Sequence, residues 1–432
     1  MTLQEWSLIA LILIAGIWGG GGVAYGLSNF LVQFAALIAL ASGRSAFAAF
    51  WQEAPWPAKT LIFAALALPL VQLVPLPPSI WQILPGREMA VEARLMVSAQ
   101  DDWFPFSLDP GRTLTALLAL LGPLAIIALG WGLEKRALIR LAWVIVALGA
   151  FSFIIGVPQV LSQGQSGLFY PENPMPGVLF GTFANRNSAG MFLCIALMML
   201  ACLPLDLEHK PLLTARITLF ALLLFAVLLT RSRSAIVLAL IPSAMLGCRL
   251  ITGFGKKVQV VAGGASLALA ALLVVSIPGS RLETSLDRFA QTTDTRAYIW
   301  DDAFFSADKY WPMGAGMGTF DEVFQTDQSL ENTGIRKAGR AHNDYLELAI
   351  EAGPPGLILL AAWSLYIAWL ALKARIVTDR QHRWIAWGSS AGLAMIGLQS
   401  LLDYPLRNMT MLCVSSLLFL LLLRFSAAEE AQ

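Results

Sequence analysis

Charge is what this sequence has least of. Only 13% of its 432 residues are Asp, Glu, Lys or Arg, against roughly 25% in an ordinary soluble protein. Apolar residues make up 57% and mean hydropathy is +0.68, a balance that excludes a soluble protein with one buried core. The formal net charge of +1 comes from basic residues scattered between apolar segments, so no face or tail suits nucleic acid. Cysteine is also scarce. Cys194, Cys202, Cys248 and Cys413 lie in or beside apolar runs, with none in the long polar loops, which argues against a disulfide framework and against a cysteine metal site. The first 17 residues lack a basic start and an Ala-x-Ala cleavage site, so they read as a membrane helix rather than a signal peptide.

What is present is apolar length. Runs of about 20 residues, enough to cross a bilayer, recur from end to end. Helices are expected near Trp6–Trp18, Val23–Ala41, Thr60–Leu76, Thr113–Leu133, Leu138–Leu161, Ser188–Leu205, Thr214–Thr230, Ser234–Ile251, Val258–Ile277, Pro355–Leu372, Trp384–Leu402 and Asn408–Leu423. The fold class is therefore an all-α polytopic membrane bundle of about twelve helices. Its parts are nine helices over residues 1–277, a loop with short helices over 278–353, and three helices with a tail over 354–432. Trp6, Trp18, Trp131, Trp363 and Trp384 flank spans, as interfacial anchors do.

Lysine and arginine set the expected orientation. With a cytoplasmic N-terminus, the connections on that side collect 15 basic residues and the opposite side 14, seven of which lie in the long segment Pro278–Ala341. The positive-inside rule largely ignores such long segments, which leaves 15 against 7. Both termini are expected in the cytoplasm, and the loops Pro77–Arg112 and Pro278–Ala341 outside, in the periplasm of a Gram-negative cell.

Four polar stretches on the outer side stand out. Thr230-Arg231-Ser232-Arg233-Ser234 turns between two apolar helices, Asn185-Arg186-Asn187 opens another, and Thr295-Arg296-Ala297-Tyr298-Ile299-Trp300 begins an amphipathic helix in the long loop. Arginine at a membrane face either anchors to lipid headgroups or recognises a phosphate-bearing lipid through its planar fork. The fourth stretch, Arg340-Ala341-His342-Asn343-Asp344, precedes a helical pattern that Gly353-Pro354-Pro355 stops. Asn343 or Asp344 is the expected N-cap. A helix N-terminus disfavours imidazolium, so His342 is either a neutral imidazole able to accept a proton or a surface histidine at a helix start. Asp344, Glu347 and Glu351 recur at helical spacing and read as a polar face, with Glu351 deepest toward the membrane. Asp301-Asp302 and Asp321-Glu322 are the acids a metal would need, but neighbours in sequence point different ways on a helix.

In order, GTFANRNSAG, TRSRSA, TRAYIW, GAGMGTF and AHNDYLELAIEAGPPG resemble the O-antigen ligase family, which includes polysaccharide polymerases and protein O-oligosaccharyltransferases. The resemblance covers roughly Gly181 to Leu360. It implies a metal-independent inner-membrane glycosyltransferase with no cofactor, acting at the periplasmic face on a glycan carried by undecaprenyl pyrophosphate. The acceptor is the lipid A core in ligases and another lipid-linked glycan in polymerases. By motif, His342 matches the histidine that deprotonates the acceptor hydroxyl, Arg233 or else Arg231 the arginine at the helix junction, and Arg296 the loop arginine that pairs with pyrophosphate. Arg186, Asn185, Asn187, Arg340 and Asn343 are further candidate substrate contacts. A second reading is an anionic-substrate or lipid-linked glycan transporter, in which the same arginines bind and no bond breaks. Such proteins are usually built from inverted repeats, and no convincing repeat occurs here.

Overall fold

A computed structural model describes residues 1–22, 24–162, 168–170, 175–251, 295–333 and 338–427, with side chains left aside at 295–297. The expected span Val258–Ile277 and the loop residues Arg281, Arg288, Arg336 and Lys337 lie outside the described residues. The rest is almost wholly helical. The helices are α1 (Leu3–Trp18), α2 (Gly26–Ser42), α3 (Arg44–Glu53), α4 (Trp56–Gln72), α5 (Pro78–Trp81), α6 (Glu88–Met96), α7 (Pro110–Ala119), α8 (Leu121–Trp131), α9 (Lys135–Leu161), α10 (Arg186–Cys202), α11 (Lys210–Leu229), α12 (Arg233–Leu238) and α13 (Leu240–Ile251). After the undescribed stretch come α14 (Thr295–Lys309), α15 (Phe320–Asp327), α16 (Asp344–Lys373), α17 (Arg380–Gln399) and α18 (Met409–Phe425).

Six segments are long and apolar enough to cross a membrane: Leu3–Gly21, Pro110–Trp131, Lys135–Leu161, Lys210–Leu229, Arg233–Ile251 and Asp344–Ile376. A seventh is the pair α2–α3, if its two helices, bent by 80°, count as one span. The other expected spans among the described residues fall on the shorter apolar helices α4, α10 and α18 and on the less apolar α17. The reason is visible at α10. Its sequence is apolar all round, and every residue from Ser188 to Cys202 is buried, packed by α9, α11, α13 and α17. A helix surrounded by protein need not match lipid on any side. By contrast α11 leaves Leu212, Ile217, Leu222 and Phe225 exposed, the pattern of a lipid-facing helix.

A lobe of short elements sits at one end of the bundle. The strands β1 (Pro75–Leu76) and β2 (Phe104–Pro105) pair antiparallel. Arg112 Nε donates to Glu322 Oε1 at 2.5 Å, and Leu108 N donates to Ala315 O at 2.8 Å, so the 77–112 loop and the 295–333 segment form one body. Its core, including Tyr310, Phe320 and Phe324, continues into Leu346 and Ile350 at the start of α16.

The join between lobe and bundle follows from proline chemistry. Pro354 and Pro355 lack the amide hydrogens that would bond the carbonyls four residues earlier, on Ile350 and Glu351. Those carbonyls accept instead from Ala315 N (2.9 Å) and Gly316 N (2.9 Å), and Gln72 Nε2 also donates to Glu351 O (3.0 Å). The chain breaks helical geometry at Gly353, with φ 55° and ψ −151°, a region open essentially to glycine alone. A Cβ there would strike Pro312 O. The expected stop at Gly353-Pro354-Pro355 is thus a kink, after which the helix resumes in a new direction.

Candidate functional site

His342 lies where the lobe, α16 and the α17–α18 turn meet. Asn343 is the N-cap of α16, its Oδ1 accepting from Tyr345 N (3.0 Å) and Leu346 N (3.1 Å). His342, one residue ahead, has φ 52°, a left-handed conformation rare for a residue with a Cβ, though histidine tolerates it better than most. Two anchors hold it there. Trp300 Nε1 donates to Ala341 O (2.8 Å), and Asp344 N donates to Ser400 O (2.9 Å). Arg296 is one helical turn ahead of Trp300 on α14, so its backbone belongs to the element that grips the histidine loop.

The imidazole Nδ1 is 3.0 Å from Asp403 Oδ1, with the histidine side chain 31% exposed and the aspartate 1%. Asn185 Nδ2 donates to the other oxygen, Asp403 Oδ2, at 3.3 Å, and the Tyr404 ring packs 5.0 Å from the imidazole. Burial pushes the Tyr404 hydroxyl up to about 12, so it stays protonated. An ionised carboxylate only accepts hydrogen bonds, which places the proton on Nδ1 and leaves Nε2 to take one. The pair can act as a general base whose imidazolium, once formed, faces a fixed negative charge.

The three acids of the polar face turn inward. Arg407, from the turn before α18, meets Asp344 Oδ1 (3.3 Å), Glu347 Oε2 (3.2 Å) and Glu351 Oε2 (2.7 Å). Burial alone would lower the guanidinium, but Glu351, Glu347 and Asp344 together hold it above its ordinary range. Glu351, expected to lie deepest, is fully buried. Arg340, a candidate phosphate contact, bonds Glu347 Oε2 at 3.0 Å, so its charge first serves this network.

The arginine turn reaches the same end of α10 from another side. Ser232 caps α12 by accepting from Ala235 N, placing Arg233 at its first position, and Arg231 and Arg233 are both exposed. A Cβ on Gly177 would lie 2.8 Å from Arg231 Nη2, and Gly190 of α10 packs on Thr230, Ser232 and Ala235. Asn185 caps α10 by accepting from Asn187 N (2.8 Å), and Arg186 is the first residue of that helix. The structure thus gathers Asn185, Arg186, Asn187, Arg231 and Arg233 around the start of α10, and joins that start to His342 through Asp403. Asn185 and Asn343 spend their amide oxygens on helix caps, a backbone role that the sequence reading did not give them.

Among the described residues no group of three or more His, Cys, Asp or Glu is placed to hold a metal ion. Of the acids considered for that role, Asp302 accepts from Asn332 (2.9 Å) and Glu322 pairs with Arg112. Sequence reasoning missed Asp403, Tyr404 and Arg407. The signal was there: Asp403-Tyr404-Pro405-Leu406-Arg407 sets two charges between apolar helices, and ionisable groups at membrane depth are functional candidates by default.

Residues 218–361 match the family model described as O-Antigen ligase, and no curated protein matches the chain. The match takes in Arg231, Arg233, Arg296, Arg340, His342 and Asn343, while Asn185, Asp403 and Arg407 fall outside it. Through this third of its length, which holds the arginine turn and the histidine loop, the chain belongs to the O-antigen ligase family.

Proposed function

We propose that the protein transfers a glycan from undecaprenyl pyrophosphate to an acceptor hydroxyl at the periplasmic face of the bacterial inner membrane, without a metal. The observation that carries this reading is the His342–Asp403 pair, tied through Asn185 to the end of α10 where Arg186, Arg231 and Arg233 gather. Nε2 of His342 takes the acceptor proton, the oxygen attacks the anomeric carbon, and the bond from that carbon to the pyrophosphate oxygen breaks. The lipid pyrophosphate leaves with the electron pair, and the proton remains on an imidazolium that Asp403 stabilises. Four carboxylates surround the histidine loop, Asp344, Glu347, Glu351 and Asp403. Such surroundings suit a neutral hydroxyl better than a pyrophosphate, so the anionic leaving group belongs with Arg233 and Arg296. The lipid A core is the acceptor in the ligase reading, and a second lipid-linked glycan in the polymerase reading.

Arg233→Lys and Arg296→Lys test the phosphate assignment. Each is expected to keep only part of the activity, because a point charge does not reproduce a bidentate fork on phosphate. Turnover measured on purified protein with lipid-linked donor, acceptor and chelator decides it. Full activity with lysine at both positions would reduce the arginines to headgroup anchors.

Twelve spans, cytoplasmic termini and a periplasmic 278–353 segment complete the proposal, on the strength of the 15-to-7 basic asymmetry. Alkaline phosphatase fused near Ser329 is expected to be active, and fused after Glu430 inactive. The reverse pattern would invert the topology and move the site to the cytoplasm.

A further inference from the structure

The end of the bundle opposite the site carries a cluster of guanidinium groups around a cavity. α10 and α17 run antiparallel between the two ends. The N-terminus of α10 and the C-terminus of α17 meet the histidine loop, through Asn185 and Ser400. Their other ends, at Cys202 and Arg380, lie about 25 to 30 Å away at 1.5 Å per residue, close to the thickness of a bilayer core. There Leu205, Leu207, Arg249, Arg380, Gln381 and Trp384 line a cavity of about 80 Å³. One water occupies roughly 10–15 Å³ of such space, so the cavity has room for a tetrahedral oxyanion.

Two of the cations are buried and fixed by neutral oxygens. Arg249, 4% exposed, donates to Ala201 O (2.8 Å), Leu203 O (2.6 Å) and Gln381 Oε1. Arg216, 7% exposed, donates to Leu203 O (3.1 Å). These carbonyls end α10, and a helix C-terminus carries only about half a negative charge. Two full charges exceed it, and Arg380 adds a third near enough to act on Arg249 electrostatically. The neighbouring acids are committed elsewhere. Asp206 Oδ1 accepts from Glu208 N (2.9 Å) and His209 N (3.3 Å), Asp379 Oδ1 from His382 N (2.9 Å), and the Glu208 side chain is exposed on its loop. The guanidinium of Arg249 lies 5.8 Å from the Trp384 ring, and that of Arg383 5.7 Å from Trp387, an arrangement typical of headgroup depth.

We infer that this cavity binds a phosphate group at the membrane face opposite the catalytic site, with Arg249 and Arg380 supplying the charge. The group is either the phosphodiester of an anionic phospholipid or free phosphate, since the forked recognition is common to both. Native mass spectrometry of the full-length protein, released from nonionic detergent, tests it with phosphatidylglycerol, phosphatidylcholine and inorganic phosphate as separate probes. Arg249 caps α10, so its variants report folding. Arg380, exposed at the cavity mouth, isolates binding. The expected result is retention of phosphatidylglycerol over phosphatidylcholine, with Arg380→Ala weakening it about fivefold, the effect of one cation near an anionic headgroup. Binding of inorganic phosphate that Arg380→Ala weakens supports the site with a soluble ligand instead. No preference for phosphatidylglycerol together with no phosphate binding, or binding that Arg380→Ala leaves unchanged, overturns the inference. Glycan transfer is not the readout, so failure here is separate from failure of the proposed reaction.

Discussion

His342→Asn is expected to cut glycan transfer by roughly 10² to 10⁴-fold, the usual contribution of a positioned general base, while donor binding changes little. Asparagine is the informative replacement because it tolerates the left-handed backbone that His342 adopts, so the loop keeps its shape and only the base is lost. Asp403→Asn separates positioning from fold. The amide offers Nδ1 an N–H and stabilises the tautomer with the proton on Nε2, and a comparable change in a catalytic triad costs about 10⁴-fold. Because Asp403 is buried and touches the ring rather than substrate, its loss is expected to lower kcat with KM for the donor nearly unchanged. Initial rates over a range of donor concentrations, with chelator present, give both constants. Near-normal kcat in His342→Asn would end the general-base assignment. Normal kcat in Asp403→Asn alongside an inactive His342→Asn would leave Asp403 a structural role only.

Arg407→Met is expected to unfold or strongly destabilise the protein. It would leave Asp344, Glu347 and Glu351 buried around no cation, and breaking a buried ion network by removing one partner costs about 3–5 kcal/mol. That is a large share of the whole stability of an ordinary domain. The partial rescue is specific. Removing two of the charges as well, with Glu347→Gln and Glu351→Gln in the Arg407→Met background, is expected to restore much of the melting temperature, since a neutral pocket needs no counter-ion. Arg407→Lys is expected to fall between, because an ammonium cannot meet three carboxylates as the wider guanidinium does. Thermal melting and the monodisperse fraction after detergent extraction are the measurements. A wild-type melting temperature in Arg407→Met would mean that the acids find water or share protons instead.

The sequence alone determined what depends on neighbours along the chain. Apolar runs fixed the membrane class and the helix positions. Asn343 was legible as a cap because capping is a contact over two or three residues, and Gly353-Pro354-Pro355 as a break because proline acts on its own turn. The motif order marked His342 and the arginines for the same local reason. Tertiary structure decided the partners. Asp403 stands 61 residues from His342, and Arg407 56 residues from Glu351. A pairing between such distant segments leaves no periodicity to read, since either end looks in isolation like a charge beside an apolar run. The sequence likewise offered two readings of Asp344, Glu347 and Glu351, a solvated face or a face turned into protein. Their spacing put them on one side of a helix, but only the packing of the α17–α18 turn onto that side set an arginine among them and drew Asp403 under the histidine.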